Sequence, residues 1–393
     1  MKIKIIIILT LCYTFVKAQG LSFPVDILYL PQGYTHQDLT GKGFLGSTQS
    51  SISNLNSGNP ACIVDFNGLN IGTSLQFESK TNKAWIADFS HNRNNYLPQS
   101  FGLSYSLQNI HFAMASNQLY NTKIDYGKIQ GTMIWDNEQG YIETEIFHPY
   151  RNETIFKNSA ISAIKLNNFL FDNSILSIGF QFNSNYYIIL QTLGKSMLPE
   201  EDGKLKVKEN KAKANDLENN FSLGFRYSIH NNMLNVKLGI FYESEIEHNF
   251  EKKHSGNSYQ YLARIPQKLN GGISINFPKN IIWTTNFTQQ YWESLEKENN
   301  IKNVLEWSSS VSFQYKKDIL VSLATKTTNT EYIGHGYDLF FKNKFFAHYF
   351  VTGCKYNYKQ YEFDIVIADS HLLSEEKRKH TIFKFGLGYH FNF

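Results

Sequence analysis

Apolar and polar residues alternate with a period of two along almost the whole chain, and no other feature limits its fold as strongly. Phe221, Leu223, Phe225, Tyr227 and Ile229 are interleaved with Ser222, Gly224, Arg226 and Ser228. Leu234, Val236, Leu238, Ile240 and Tyr242 are interleaved with Asn235, Lys237, Gly239 and Glu243, Phe241 being the exception. Runs of the same kind recur at 69–77, 101–107, 176–182, 269–277, 283–291 and 361–367. The strictest is FKFGLGYHFNF, where Phe383, Phe385, Leu387, Tyr389, Phe391 and Phe393 oppose Lys384, Gly386, Gly388, His390 and Asn392. Side chains two apart share one face of a strand, so each run predicts a strand with one apolar and one polar face. Turn signals such as His230-Asn231-Asn232 and Pro278-Lys279-Asn280 separate them.

Two architectures use such strands. A soluble sandwich turns the apolar faces inward; an outer-membrane barrel turns them outward to lipid and encloses the polar ones. The polar faces here carry Gly, Ser, Asn and Gln more than Lys and Glu, which suits a crowded interior. Tyr242, Tyr291, Trp292 and Phe391 fall at strand ends, where an aromatic girdle would meet headgroups. Short turns alternate with long polar stretches, of which GKLKVKENKAKANDLENN at 203–220 reads as a loop. Aromatic residues make up 15% of a chain whose mean hydropathy is only −0.36, as expected if apolar residues are laid out singly around a wall. The expectation is an all-β, transmembrane antiparallel β-barrel of about fourteen strands over residues 68–393. It would lie in the bacterial outer membrane, with outer-membrane lipid against its exterior.

Residues 1–18 read as a secretory signal peptide: Lys2 and Lys4, the apolar run IIIILTLCYTFV, then Val16-Lys17-Ala18 before a cleavage after Ala18. Its three lysines account for most of the formal charge of +4, leaving about +1. A nearly neutral chain offers no general surface to nucleic acid. Beyond the leader only Cys62 and Cys354 remain, too few for a disulfide framework.

Residues 19–67 do not alternate. GKGFLG places Gly41, Gly43 and Gly46 in a literal G-x-G-x-x-G, but no βαβ unit surrounds it, so it reads as tight turns with close backbone contact. Asn59-Pro60-Ala61 follows just before the first alternating run. Together these resemble the FadL/TodX family of outer-membrane transporters for long-chain fatty acids and other hydrophobic compounds. PQSFGLSYSLQNIHFAMASNQLYN at 98–121 is similar to an early hairpin of that family, and RIPQKLNGGISINFPKNIIWTTNFTQQYWESL at 264–295 to a late one. The resemblance implies that 19–67 folds into the lumen as a hatch. It also implies that the aromatic final strand is read by the outer-membrane assembly machinery. One departure is plain: Ser47 to Ser57 carries no charge.

Arg226, Lys237, Glu243, Glu362, Asp364 and Lys384 fall on polar faces. Arg226 and Lys237 are the candidate contacts for a ligand carboxylate. The competing reading pairs these charges with one another or with the hatch. His390 reads as an ordinary luminal residue. Ser90-His91-Asn92 cannot form a triad, because neighbours along a strand point to opposite faces. EEKRKH at 375–380 reads as a solvated loop. No metal spacing, cofactor motif or catalytic pair is found, so the expectation is a non-enzymatic, passive transporter of hydrophobic small molecules. The alternative is a barrel that holds an exported protein for secretion or surface attachment; a hydrophilic porin stands third.

Overall fold

The computed structural model describes residues 38–83, 90–125, 129–135, 142–147, 150–199, 205–231, 234–254, 257–278, 280–292, 303–329, 346–370, 372 and 379–391. The leader, the first part of the hatch region, Asn392 and Phe393 lie outside them. A two-rung hairpin comes first, β1 (Leu39–Thr40) and β2 (Gly43–Phe44). Then follow β3 (Leu69–Lys83), β4 (Ser90–Leu107), β5 (Ile110–Asp125), the hairpin β6 (Ile129–Trp135) and β7 (Ile142–Phe147), β8 (Tyr150–Asn167), β9 (Ser174–Pro199) and β10 (Leu205–His230). β11 (Asn235–Glu243) leads into the separate hairpin β12 (Ile246–His254) and β13 (Asn257–Ile265). The rest are β14 (Lys268–Phe277), β15 (Ile281–Gln290), β16 (Val304–Lys316), β17 (Ile319–Asn329), β18 (Phe346–Tyr358), β19 (Tyr361–Asp369) and β20 (Lys379–Phe391).

Fourteen of these close a ring, β3-β4-β5-β8-β9-β10-β11-β14-β15-β16-β17-β18-β19-β20, every neighbour antiparallel. The ring shuts where β20 pairs with β3, from Phe391↔Leu69 to Lys379↔Thr81. Along its paired rungs the closed ring leaves no free strand edge, the condition under which strands can span hydrocarbon.

The faces are sorted as a membrane demands. Phe101, Leu107, Phe112, Phe180, Leu223 and Phe225 are exposed on the outside, whereas Asn70, Ser74, Gln181, Asn183 and Ser222 are buried within. Phe241, the break in the alternation, is buried too, on the inner face beside Gly239 and Glu243. Phe383, Phe385, Leu387, Tyr389 and Phe391 alternate with the inward Lys384, Gly386, Gly388 and His390, as the pairing of β20 with β19 and β3 requires.

Two expectations are corrected. Leu205–Asn220 is not a loop but the upper part of β10, paired rung by rung with β9 as far as Leu205↔Pro199. Nearer the barrel the hairpin packs on β12, where His248 Nδ1 meets Asp216 at 3.2 Å and its ring lies 5.1 Å from that of Tyr187. Trp292 does not join a girdle; it is 2% exposed and its indole donates to Gln290 Oε1 at 2.9 Å. The two-residue connections Gln108-Asn109, Lys317-Asp318 and Lys359-Gln360 lie at one end of the barrel, and the longest ones, between β15 and β16 and between β17 and β18, at the other. By the usual asymmetry the short-turn end is periplasmic.

Candidate functional site: a luminal segment and the wall around it

Residues 38–66 lie inside the barrel and touch all fourteen wall strands. At several wall glycines the segment's backbone comes up against the wall's own. A Cβ on Gly179 would fall 2.3 Å from Ala61 N, one on Gly239 2.0 Å from Ser47 O, and one on Gly72 2.2 Å from Ile52 O. Gly353, Gly386 and Gly388 give similar room to Gly41, Ser53 and Ile52, as Gly272 does to Ser47 Oγ. Elsewhere the wall offers small polar groups. Ser100 Oγ donates to Asn54 Oδ1 at 3.1 Å, Asn56 Nδ2 to Ser159 Oγ at 3.1 Å, and Gln181 Nε2 to Asn56 O at 3.5 Å. Ser47 N donates to Asn286 Oδ1 at 3.1 Å, and Ser322 Oγ to Gly41 O at 2.8 Å. His111 Nδ1 meets Phe66 O at 3.1 Å, and Gly43 presses on Ser310 of β16.

Asn59 is the busiest residue of the segment. Its Oδ1 accepts from Ala61 N at 2.9 Å, which caps the short 3-10 turn Pro60–Asp65, with Pro60 at the first position where no N–H is needed. Its Nδ2 lies 2.8 Å from Ser47 O, 2.9 Å from Phe225 O and 3.3 Å from Ile240 O. One amide therefore ties two parts of the segment to β10 and β11. Of the glycine triplet, Gly43 and Gly46 stand at φ +89° and +55°, and Gly41 abuts Cys354 O, so all three serve close turns.

Charge fastens the segment at several points. Arg226 Nη1 and Nη2 each donate to Asp65 at 2.7 Å in a fork, with Lys237 Nζ 3.6 Å from the same carboxylate. Burial opposes ionisation of Asp65, but the two cations prevail and hold its carboxyl well below the usual carboxylate range. Asp38 accepts from Lys326 Nζ at 3.0 Å, and Glu306 stands 3.7 Å from that ammonium. Ser51 and Ser53 donate to Asp364 Oδ2 at 2.9 and 3.2 Å. Lys42 donates to Ser50 O; the nearby Lys355, helped by burial, pushes its pKa down to about 8. Farther up the lumen Glu243 is clasped by Lys157 at 2.7 Å and Lys268 at 2.9 Å.

Two apolar patches interrupt this polar lining. Leu39 and Phe44 pack with Ala324, Tyr349, Val351, Val366, Ala368 and Ile382. Ile52, Leu55, Ile63, Val64 and Phe66 pack with Ala113, Ala115, Ile161 and Ala163. Beside the second patch the wall changes. The β4–β5 ladder ends at Ser100↔Asn117, and among the described residues no pairing joins the two strands beyond it. β4 runs on along β3 to Ser90, and β5 along β8 to Asp125. Irregularities flank the parting on both sides, with Gln99 and Leu119 each passed over in their ladders.

The structure thus gathers Gly41, Gly43, Gly46, Asn59, Pro60 and Ala61 into the luminal segment. It places Arg226 and Lys237 on the wall facing it, where the carboxylate they hold is the protein's own Asp65. Cys62 is buried in the segment and Cys354 faces outward from β18; both are free thiols. Ser90 begins β4, and no grouping of three or more His, Cys, Asp or Glu suited to a metal occurs among the described residues. Sequence reasoning passed over Asp65. Its signal was available: it is the first acidic residue after an uncharged stretch, and Arg226 needed an inward partner.

At the level of sequence, no family model and no curated protein matches the chain. Solved structures do. A Pseudomonas aeruginosa FadL homologue superposes with a TM-score of 0.63 at 11% identity, over 92% of this chain and 100% of that one. A monoaromatic hydrocarbon channel, a TodX deltaS2S3 mutant, gives 0.61 at 12% identity over 92% and 99%. The Ralstonia pickettii toluene transporter TbuX gives 0.55 at 9% identity over 93% and 100%. The chain shares the fold of these FadL/TodX-type outer-membrane channels.

Proposed function

We propose that the protein passes hydrophobic small molecules, long-chain fatty acids among them, through the outer membrane without an energy source of its own. The observation that carries this reading is the combination of a luminal segment reaching every wall strand with a parting of the wall between β4 and β5. A molecule entering from the long-loop end reaches the apolar patch of Phe44, Val351, Val366 and Ile382, buried while the segment is seated, as it displaces the segment. The segment, reaching every wall strand, acts as a hatch, and the side route toward lipid lies where β4 and β5 part beyond Ser100 and Asn117. The named functions of the structural neighbours, a hydrocarbon channel and a toluene transporter, support the same class of cargo. Arg226 and Lys237 would meet a carboxylate cargo only after Asp65 has left them. The outer-membrane assembly machinery would insert the barrel through its aromatic last strand.

Uptake of labelled oleate and of labelled toluene, compared between cells carrying and lacking the gene, tests the reading. Faster uptake of at least one is expected. Equal uptake of both, with the barrel shown to be folded in the membrane, would overturn it.

A further inference from the structure

Most short-end turns among the described residues are polar: Gln108-Asn109, Lys317-Asp318, Lys359-Gln360. The turn joining β8 to β9 is not. It reads Asn168-Phe169-Leu170-Phe171-Asp172-Asn173, with Phe169, Leu170 and Phe171 39%, 75% and 62% exposed. Three consecutive apolar side chains offered to the outside are a fault in a turn unless something receives them.

The turn is firmly built. Asn168 N donates to Ser174 O at 2.7 Å, Asn173 N to Asn168 Oδ1 at 3.3 Å, and His230 N to Asn173 O at 3.0 Å. Ser174 Oγ lies 2.7 Å from Phe171 O and closer still to Phe169 O. Leu170 sits at φ +70°, a left-handed conformation that glycine would adopt freely and leucine only at a cost. The flanking Asn168 and Asn173 are left-handed too, but asparagine tolerates it. At two other short-end turns the left-handed non-glycine positions are held by the polar Gln108 and Lys359, at φ +54° and +55°, so Leu170 stands apart as a bulky apolar residue there.

Its direction follows from Tyr227. Tyr227 lies on a rung with Leu176 and Leu238, all on the lipid-facing side of the wall. Its hydroxyl donates to Phe169 O at 3.3 Å. The turn therefore leans over the outer rim of the barrel and not beneath the lumen, and its apolar residues continue the lipid-facing band of Leu166 and Phe180.

We propose that turn 168–173 is a lipid-inserting anchor, placing Phe169, Leu170 and Phe171 at the boundary between headgroups and acyl chains of the periplasmic leaflet. Such an element fixes the depth of the β8–β9 rim, whose strands also carry the Gly179 seat and Lys157. The anchor rests on the membrane placement of the barrel and is independent of the cargo.

The test uses the mature chain in phospholipid vesicles, with Cys354→Ser as background and a nitroxide label on Leu170→Cys. Power saturation compares collision with oxygen, concentrated in hydrocarbon, and with a neutral nickel chelate, confined to water. Phe171→Cys gives the same reading should Leu170→Cys not fold, and heat-dependent gel mobility reports folding. Lys359→Cys, on a polar turn of the same rim, is the aqueous reference. The oxygen-to-nickel collision ratio is expected to be at least severalfold higher at position 170 or 171 than at 359. Equal ratios would overturn the anchor. So would a label that stays nickel-accessible until periplasmic proteins are added, since that marks a protein-docking knob.

Discussion

The Asp65 fork is the contact whose removal tells most about how the luminal segment is held. In Asp65→Asn the side chain keeps its shape but loses its charge, leaving Arg226, 3% exposed, and Lys237 facing each other without a counter-ion. Breaking a fully buried pair costs about 3–5 kcal/mol, and an exposed one about 0–1. Asp65 is 35% exposed, so water screens part of the interaction and about 2 kcal/mol is the reasonable figure between those limits. That corresponds to a roughly 30-fold rise in the population with the segment unseated.

Cys62 supplies the assay. It lies three residues before Asp65, is wholly buried, and burial pushes its thiol pKa up, so it reacts only when the segment opens. In a Cys354→Ser background, the maleimide labelling rate should rise about 30-fold in Asp65→Asn. Arg226→Gln added to Asp65→Asn should bring the rate back toward the parent, because it removes the stranded cation. Labelling within threefold of the parent, or strictly additive effects of the two substitutions, would refute the clamp. The pH dependence has a definite sign. A carboxyl depressed in the folded state contributes fully above its ordinary value near 4 and loses that contribution only as pH falls through the depressed one. Opening, corrected for thiolate fraction, should therefore be insensitive to Asp65 between pH 5 and 8.

Two further perturbations use the same thiol. Gly179→Val puts a branched side chain where Ala61 N already sits 2.3 Å from a Cβ position. The barrel should remain heat-modifiable while Cys62 labels freely and ion conductance appears in planar bilayers; a tight, unlabelled barrel would show that the seat is not filled as described. Lys42, with its pKa lowered to about 8, binds fewer protons when seated than when released, so the seated state should gain stability as pH rises from about 8 toward 10.5. Lys42→Met should abolish that slope and slow Cys62 labelling at pH 7, and a slope unchanged in Lys42→Met would assign it elsewhere.

The barrel was legible because every wall residue obeys one rule of direction. Phe225 and Ile240 face outward and Arg226 and Gly239 inward, whatever their neighbours do, so alternation at 221–229 and 234–242 announced the wall. The rule fails where its physical cause is absent. Leu205–Asn220 is rich in Lys, Glu and Asn without a period of two, so a strand there looks like a loop; its order comes from pairing with β9 and from packing on β12, neither of which is local in sequence. Val351, Val366, Ala368 and Ile382 point inward yet are apolar because Leu39 and Phe44 pack on them. No local pattern reveals a partner some three hundred residues away. For the same reason Arg226 and Lys237 were recognisable as luminal cations, but the identity of their carboxylate was not.

The small polar character of the inner face suits a crowded interior for a specific reason. A ring of this width cannot be filled by its own side chains, so a second stretch of chain must enter, and that stretch brings backbone N–H and C=O groups that need partners. Gly72, Gly179 and Gly239 let its backbone approach, and Ser100, Asn286 and Ser322 satisfy it. A seat made of hydrogen bonds is also a removable one, since water replaces each at a net cost of only about 1 kcal/mol. Water cannot so replace the contacts of Leu39, Phe44, Leu55 and Ile63 with the wall. A hydrocarbon can. On the proposed function, then, the polar seat makes the segment movable, while the two apolar patches make its movement depend on cargo. The same division explains why small ions, which can compensate neither patch, should be excluded from a barrel wide enough to pass them.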